Sequence, residues 1–236
     1  MELNYSFMLN TFPAILQGIP VTLKITLISL FISAPISFFM ALIRIYRLKI
    51  LQEVVQVYIS FIRGTPIVLQ ILVVYSLVPS LLNSVVRYFG WSANVFEADP
   101  IFYAYIVFIL NTTALLSEVF RSALLSVNPG QIEAGLSVGM PLPQVYVRII
   151  IPQAMVQALP NLCNLSVNLI KNTSLAFLMT VKDITATGKI AASYGYNYIE
   201  AYIDVFVVYL IVCTLVQLLF GLAEKRLGAF RQLKYN

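Results

Sequence analysis

The sequence predicts an all-α, polytopic membrane protein with about five transmembrane helices. Of its 236 residues, 60% are hydrophobic and 11% are charged, whereas soluble domains carry about 25% charged residues. The mean hydropathy is +0.87. Long apolar runs recur along the chain, and about 20 consecutive apolar residues cross a bilayer as a helix. The length suits a single membrane domain over residues 1–236, with little chain left for a soluble domain.

The first half of the chain predicts three spans separated by one helix and one loop. Basic residues from Arg44 onward end the first apolar run. Segment 51–62 is short and mixed in character, which predicts a helix lying at the membrane interface. Arg63-Gly64-Thr65-Pro66 then predicts a turn, with Arg63 as its anchor at that interface. The polar, aromatic segment 83–100 predicts an exposed loop before the third span.

The second half predicts two further spans. Segment 173–181 is apolar but too short to cross, so it is re-entrant or interfacial, and 182–200 is predicted to be a loop. A basic tail follows the last apolar run. The predicted spans, each long enough to approach or cross a core about 30 Å thick, are 19–43, 67–82, 101–117, 149–172 and 201–223.

The distribution of basic residues predicts the orientation. With five spans and an outer N-terminus, ten Lys and Arg residues lie in cytoplasmic segments and three in outer segments. This bias indicates an N-out, C-in topology. The ten are Arg44, Arg47, Lys49, Arg63, Arg121, Arg148, Lys225, Arg226, Arg231 and Lys234, and the three are Arg87, Lys182 and Lys189.

The same topology places the polar segment 118–148 in the cytoplasm, between the third and fourth spans. Asn128-Pro129-Gly130 is a turn signal, and 131–138 has helical character. Gly139, followed by Pro141 and Pro143, ends that helix. A short helix across the membrane face is either a docking surface or a self-contained loop, and the residues alone leave both open.

The fourth span carries six amides at helical spacing, here called the amide row. Lipid cannot satisfy such groups, so the row faces other helices or a water-filled path. Interhelical hydrogen bonding and a solute path are both compatible with it. Amides donate to carboxylates and accept from ammonium groups, which suits a zwitterion. The members are Gln153, Gln157, Asn161, Asn164, Asn168 and Asn172.

Other polar residues extend the candidate path. Thr112 lies beside Asn111 in the third span, and its hydroxyl bonds its own backbone or faces the path. Glu118 pairs with Arg121, three residues on, or contacts a solute. Lys171 reaches the outer surface or pairs with a carboxylate. The predicted path residues are Asn111, Thr112, Glu118, Gln157, Asn161, Asn164, Asn168, Lys171 and Asn172.

Several function classes are disfavoured. The chain has no histidine and no phosphate-binding glycine loop, so no ATP site of its own is expected. Cys163 and Cys213 are interpreted as packing residues, and no metal site is expected. The net charge of +5 reflects the membrane topology rather than nucleic-acid binding. An ion-coupled secondary transporter remains the alternative, with Asp204 as a weak candidate carboxylate. A membrane enzyme would want a histidine or paired carboxylates.

Segment 133–152 resembles the EAA loop of ABC importer permeases. That pattern is Glu-Ala-Ala, three residues, Gly, nine residues and Ile-x-Leu-Pro. This chain has Glu133-Ala134-Gly135, Gly139 and Ile149-x-Ile151-Pro152. Gly135 and Ile151 depart from it, and Gly135 is expected to cost up to about 1 kcal/mol of helix stability. The resemblance implies that Glu133, Ala134, Gly135, Gly139 and Pro152 couple the chain to a cytoplasmic ATPase.

Further stretches resemble the polar amino acid branch of these permeases. The most branch-specific are Arg63-Gly64-Thr65-Pro66, within the longer match 58–70, and Lys171-Asn172-Thr173-Ser174. Segment 161–190 looks closest to cystine permeases.

This resemblance implies a multi-pass permease of the bacterial plasma membrane that is not itself an enzyme. Its expected partners are a second permease subunit (identical or not), a cytoplasmic ATPase dimer that binds ATP and magnesium, an external substrate-binding protein, an amino acid and membrane lipid.

Overall fold

The computed structural model describes residues 3–92 and 94–232, with side chains up to residue 227, and all regular elements in these ranges are helical. Of the predicted basic tail, the Arg231 side chain and Lys234 lie outside the described residues. The helices are α1 (Tyr5–Leu16), α2 (Ile19–Ile45), α3 (Lys49–Gly64), α4 (Ile67–Tyr88), α5 (Ile101–Leu125), α6 (Gly130–Ser137), α7 (Leu142–Val145), α8 (Ile151–Thr173), α9 (Ile184–Ser193) and α10 (Tyr198–Gln232). Shorter turns of other helix types are Val95–Glu97, Tyr146–Ile150 and Ser174–Met179.

Four stretches within the described residues combine enough length and apolarity to cross a membrane. α8 is not among them, although its 23 residues would extend about 35 Å at 1.5 Å each. The reason is composition, because the amide row lowers the mean hydropathy of α8. The four stretches are Tyr5–Ile45, Ile67–Tyr88, Ile101–Leu125 and Tyr198–Leu227.

α2 and α5 form the most extensive helix pair. Their seam is built from small hydroxyl side chains, which let two backbones approach closely. Ser37 donates to the carbonyl of Thr113 over 2.9 Å, and Thr113 in turn donates to Ser33 over 3.0 Å. The buried hydroxyl residues of α2 are Thr22, Thr26, Ser29, Ser33 and Ser37.

The segment 182–200, predicted to be a loop, contains α9, so that prediction was wrong. Asp183 caps α9, because its carboxylate accepts from the backbone N–H groups of Ala186 (2.8 Å) and Thr185 (3.2 Å). The helix is held by close packing, since a Cβ on Gly18 would lie 2.5 Å from the backbone nitrogen of Ile184. The helix packs on α1 and α10 with Ile184, Ala186, Gly188 and Ala192 buried.

The helix α1 was also not predicted from the sequence. It is capped by Asn4, which accepts from the Phe7 N–H over 3.0 Å. α1 is held against the start of α10, where Thr11 donates to Asp204 over 3.3 Å. Asp204 is therefore bound to a hydroxyl of α1, and it does not line the polar cavity described below.

Segment 173–181 folds back into the bundle as the turn Ser174–Met179. Ala176 and Met179 are fully buried there, in one cluster with Ile71 and Phe108. At the other end of α8, Tyr146–Ile150 is a single turn of π-helix, and the Ile151 N–H bonds to the Tyr146 carbonyl. Pro152 has no N–H to continue an α-helical ladder, which explains the wider turn.

Candidate functional site

A polar cavity of about 250 Å³ lies between α5 and α8, here called the amide cavity. Both helices contribute polar groups because each places them at helical spacing on the facing side. Apolar side chains of the same helices close its walls. The lining residues are Arg63, Asn111, Thr112, Leu115, Glu118, Val119, Asn161, Leu165, Asn168, Leu169 and Asn172.

Six of the nine predicted path residues line this cavity, namely Asn111, Thr112, Glu118, Asn161, Asn168 and Asn172. The other three, Gln157, Asn164 and Lys171, are exposed and do not line it. The reason is angular, because α8 turns through about 100° per residue and only part of the amide row points at α5.

Three of the α8 amides are not joined to neighbouring helices within the described residues. Asn161, Asn164 and Asn168 are exposed, and no hydrogen bond from them reaches another part of the described chain. Gln153 instead bonds back to the Ile149 carbonyl over 3.0 Å. The interhelical hydrogen bonds considered for the row are therefore absent among these described side chains, which leaves the groups available to a solute or a second subunit.

Thr112 presents an unmet hydroxyl. Its side chain is 1% exposed and its Oγ1 atom has no partner within the described residues. By contrast, two serines of α5 bond their own backbone, Ser117 to the Ala114 carbonyl over 2.8 Å and Ser122 to the Val119 carbonyl over 3.0 Å. A buried hydroxyl without a partner costs free energy. Because Thr112 lines the cavity, a bound polar molecule would satisfy it.

Asn111 is held by Gln70, a buried residue of α4. Asn111 Nδ2 donates to Gln70 Oε1 over 3.1 Å. Gln70 Nε2 donates to the Ile62 carbonyl over 2.8 Å and to the Thr65 hydroxyl over 2.9 Å. Sequence reasoning missed Gln70, although it closes the family-like stretch 58–70 and is the only amide in it.

Glu118 lies at the end of the cavity nearest α6 and is surrounded by three guanidinium groups. Arg44 Nη1 is 2.5 Å from Glu118 Oε1, and Arg121 Nε is 3.4 Å from Oε2. Arg63 Nη1 is 3.7 Å from Oε1. The pair with Arg121 follows from the i,i+3 spacing, whereas Arg44 and Arg63 come from other helices and were not predicted as partners. These four residues are called the Glu118 cluster.

The helix α6 lies at the same end and presents Glu133 and Ala134 to solvent. Its last helical residue is Ser137, and the chain turns away at Gly139, whose φ is +84°, a conformation that favours glycine. Around it the Gly139 and Met140 N–H groups bond to the Leu136 and Gly135 carbonyls over 3.0 and 3.1 Å. The helix end predicted at Gly139 is thus the observed one.

Gly135 has a packing role that the sequence did not reveal. A Cβ at this position would lie 2.8 Å from Val145 Cγ2 and 3.4 Å from Ile149 Cδ1. Val145 is fully buried in a cluster with Ala123 of α5 and Ala154 of α8. Although glycine lowers intrinsic helix stability, its missing methyl lets α6 rest on the residues that lead into α8.

No resident metal site emerges in the part of the chain that the structure describes. No three His, Cys, Asp or Glu side chains there come close enough to hold an ion. The described polar groups of the cavity are amides, a hydroxyl and one arginine–glutamate pair, which suit a hydrogen-bonded solute.

Comparison with known proteins gives one family. A family model described as the inner membrane component of binding-protein-dependent transport systems matches residues 33–229. The chain is similar to the L-cystine transport system permease protein TcyL of Bacillus subtilis, with 36% identity over 91% of this chain and 87% of that protein. It is similar to the probable amino-acid permease protein YxeN of the same organism, with 35% identity over 96% of both.

Other relatives and solved structures agree with this result. The octopine transport system permease protein OccM of Rhizobium radiobacter is 36% identical over 95% of this chain and 90% of its own length. The fold is similar to that in a crystal structure of an amino acid ABC transporter with histidines. The TM-score is 0.79 and the identity 28%, covering 96% of this chain and 100% of the other. The MetNI methionine ABC transporter shares the fold, with a TM-score of 0.70.

Proposed function

The chain belongs to the family of inner-membrane components of binding-protein-dependent transport systems, and on that premise we propose that it forms the translocation path of an ATP-driven importer for polar amino acids. Such a permease is not itself an enzyme. The ion-coupled alternative loses its support, because a family of this kind depends on a binding protein and on separate ATPase subunits.

The amide cavity is the observation that supports an amino acid as cargo. It combines side-chain amides on α8 with Asn111 and the unpaired hydroxyl of Thr112 on α5. An α-amino acid brings one carboxylate and one ammonium, and amides serve both because they donate and accept. Relatives named for L-cystine transport and for octopine transport support a cargo of this kind. L-cystine is the first cargo to test.

The free energy of ATP hydrolysis is transmitted to the permease at α6. We assign Glu133, Ala134, Gly135, Gly139 and Pro152 to the contact with a cytoplasmic ATPase dimer, which hydrolyses ATP with magnesium. α6 rests on Val145 through Gly135, and Val145 shares a buried cluster with Ala154 of α8. A displacement of α6 is therefore transmitted through packed side chains to α8, which carries the cavity amides.

The exposed amides support a dimer of permease subunits. Asn161, Asn164 and Asn168 are exposed on a helix long enough to cross the membrane. Because lipid cannot accept or donate hydrogen bonds, this face requires a second permease subunit across an aqueous path. An external binding protein delivers the substrate to that path at the end opposite α6.

The test is ATP-dependent uptake in proteoliposomes that contain the chain with its ATPase and binding protein. Labelled L-cystine, L-glutamine and L-arginine are compared. We expect Glu133→Ala and Gly139→Pro to abolish uptake while the subunit still inserts, because one removes the exposed carboxylate of α6 and the other forbids its positive φ. Glu53→Ala, an exposed glutamate of α3, is the matched control. A wild-type complex that hydrolyses ATP but imports no amino acid refutes the proposed function, and normal uptake in Glu133→Ala refutes the coupling assignment.

A further inference from the structure

The Glu118 cluster carries an excess of positive charge. One carboxylate is shared among Arg44, Arg63 and Arg121, so the formal sum is three positive charges against one negative. Arg63 and Glu118 line the amide cavity, and no other charged side chain does so among the described lining residues. The cavity thus ends in a region of positive potential on the side nearest α6.

Arg63 is the least restrained of the three arginines. Its closest distance to Glu118, 3.7 Å, exceeds the usual N–H···O range of about 2.7–3.2 Å. Arg44 sits at 2.5 Å with a side chain 15% exposed, whereas the Arg63 side chain is 53% exposed. The guanidinium of Arg63 makes no hydrogen bond within the described residues. Its five N–H donors can therefore bind another acceptor, while Glu118 stays paired with Arg44 and Arg121.

The unmet hydroxyl of Thr112 is a second, independent sign of a ligand. Thr112 and Glu118 lie on the same helix, α5. Thr112 comes six residues before Glu118, which is about 9 Å along the helix axis at 1.5 Å per residue. Thr112 and Arg63 both line the amide cavity. A carboxylate at Arg63 would place the remainder of the molecule beside Thr112 and the amides of α8.

From these features we infer that Arg63 binds the carboxylate of the transported amino acid and that the cavity rejects substrates with cationic side chains. The inference rests on the proposed function and specifies its substrate class. A guanidinium binds a carboxylate through two parallel N–H···O bonds. A lysine- or arginine-like side chain finds no unpaired carboxylate in the cavity and is repelled by the cluster.

Two competing roles for Arg63 must be distinguished from carboxylate binding. In the first, Arg63 belongs to a structural network around Glu118, and in the second it contacts a lipid phosphate at the membrane surface. Neither role requires that the carboxylate of an amino acid contribute to binding in the cavity. Removing the carboxylate from the ligand and the guanidinium from the protein therefore separates the three roles.

The experiment measures equilibrium binding to the purified permease–ATPase complex, without the binding protein so that its selectivity is excluded. The probes are L-cystine, L-glutamine and L-arginine, together with L-glutamine α-carboxamide. For the wild type we expect L-arginine to bind at least about tenfold more weakly than L-glutamine. Arg63→Gln should weaken L-glutamine binding by at least about tenfold and leave the α-carboxamide within about twofold, because mutation and amidation remove the same interaction.

Two further variants are compared with Arg63→Gln. Arg63→Lys should restore part of the affinity for L-glutamine, since it keeps the charge but loses the planar fork. Arg121→Gln also removes a partner of Glu118 but lies outside the cavity lining, and it should weaken L-glutamine less than Arg63→Gln does. Equal losses in both variants, or equal losses for the acid and the amide, would identify a structural network and overturn the inference.

The outcomes distinguish this inference from the proposed function. If the wild type binds and imports L-arginine as well as L-glutamine, the charge filter is wrong and the importer assignment stands. If it binds and imports no amino acid, the proposed function itself fails. If thermal unfolding shows that Arg63→Gln folds poorly, the affinities of the wild type for L-glutamine, L-glutamine α-carboxamide and L-arginine still test the inference.

Discussion

Asn111 Nδ2 lies 3.1 Å from Gln70 Oε1, so a residue of the amide cavity is held by the first turn of α4. The same Gln70 side chain bonds the Ile62 carbonyl and Thr65, which end α3. One buried amide therefore joins the turn that follows Arg63 to the polar wall on α5. The orientation of Asn111 and the position of Arg63 depend on the same side chain.

Replacing Gln70 with leucine should impair transport mainly through substrate affinity. The change frees the Asn111 amide and leaves the Ile62 carbonyl of α3 unsatisfied, at a cost of about 1–3 kcal/mol. We expect KM for uptake to rise about tenfold, with a smaller change in the maximal rate. Concentration-dependent uptake in proteoliposomes measures both values.

Gln56→Leu is the matched control, because Gln56 is an exposed glutamine of the neighbouring helix α3. Gln70→Asn, which keeps an amide on a shorter side chain, should fall between the wild type and Gln70→Leu. An unchanged KM in a well-folded Gln70→Leu variant would show that Gln70 only supports the turn.

Gly135→Ala makes the chain more similar to the EAA pattern yet should destabilise it. The added methyl would lie 2.8 Å from Val145 Cγ2, and valine has a stiff χ1 that yields little. We expect a loss of about 1–2 kcal/mol in the free energy of unfolding, typical of an overpacked site, with a parallel loss of uptake. Denaturant unfolding of the purified protein measures it.

The double variant Gly135→Ala with Val145→Ala should recover part of the uptake that Gly135→Ala loses, because the smaller side chain makes room for the methyl. Gly221→Ala is the control, since nothing lies within 4 Å of a Cβ built there. A stabilised Gly135→Ala variant would mean that α6 shifts freely on Val145.

Whether a feature of this site could be predicted from the sequence depends on how far apart the interacting residues lie along the chain. The amide row was predicted because it follows from local helical spacing, and the end of α6 because a glycine followed by prolines marks it. The Glu118–Arg121 pair was also predicted from local helical spacing. Arg44, which binds Glu118 more closely, comes from 74 residues away in the chain and has no local signal.

The predictions for α9 and for Gly135 failed for a different, shared reason. The segment that forms α9 was predicted to be a loop, yet Asp183 and Gly18 position a helix there by a cap and a close backbone contact. Gly135 was judged by intrinsic helix propensity alone, and tertiary packing against Val145 outweighs that preference. Both errors come from reading a residue without the surface that lies against it.

The amide cavity separates two neighbouring asparagines of α8. Asn168 lines the cavity and Asn164 does not. Asn168→Leu should therefore reduce uptake about tenfold or more, because a hydrogen-bonding site is replaced by an apolar one, whereas Asn164→Leu should reduce it less. Initial rates of uptake at a fixed substrate concentration measure the difference, with Leu165→Ala as a size control. A larger effect at Asn164 would indicate that the solute path lies on the side of α8 that Asn164 faces, away from the amide cavity.

Asp183 should give stability a dependence on pH. Burial raises the pKa of this carboxyl despite the N–H groups and the Tyr209 hydroxyl that donate to it. The folded state thus favours the protonated form. Its contribution is full below the unfolded pKa of about 3.9 and is lost as pH rises through the higher folded pKa.

The measurement is the thermal midpoint of the purified protein across that pH range. Asp183→Asn should abolish this part of the pH dependence while keeping an oxygen that caps α9. Asp183→Ala also loses the cap and should therefore be about 1 kcal/mol less stable than Asp183→Asn at every pH. A steeper pH dependence in Asp183→Asn than in the wild type would contradict the assignment.

The uncovered amides of α8 bear on the life of the protein before it is assembled. A newly inserted copy exposes Asn161, Asn164 and Asn168 at a depth where hydrocarbon offers them no hydrogen bond. Covering them with a second subunit removes the cost of leaving polar groups in hydrocarbon, so this face favours the assembled protein over the single copy.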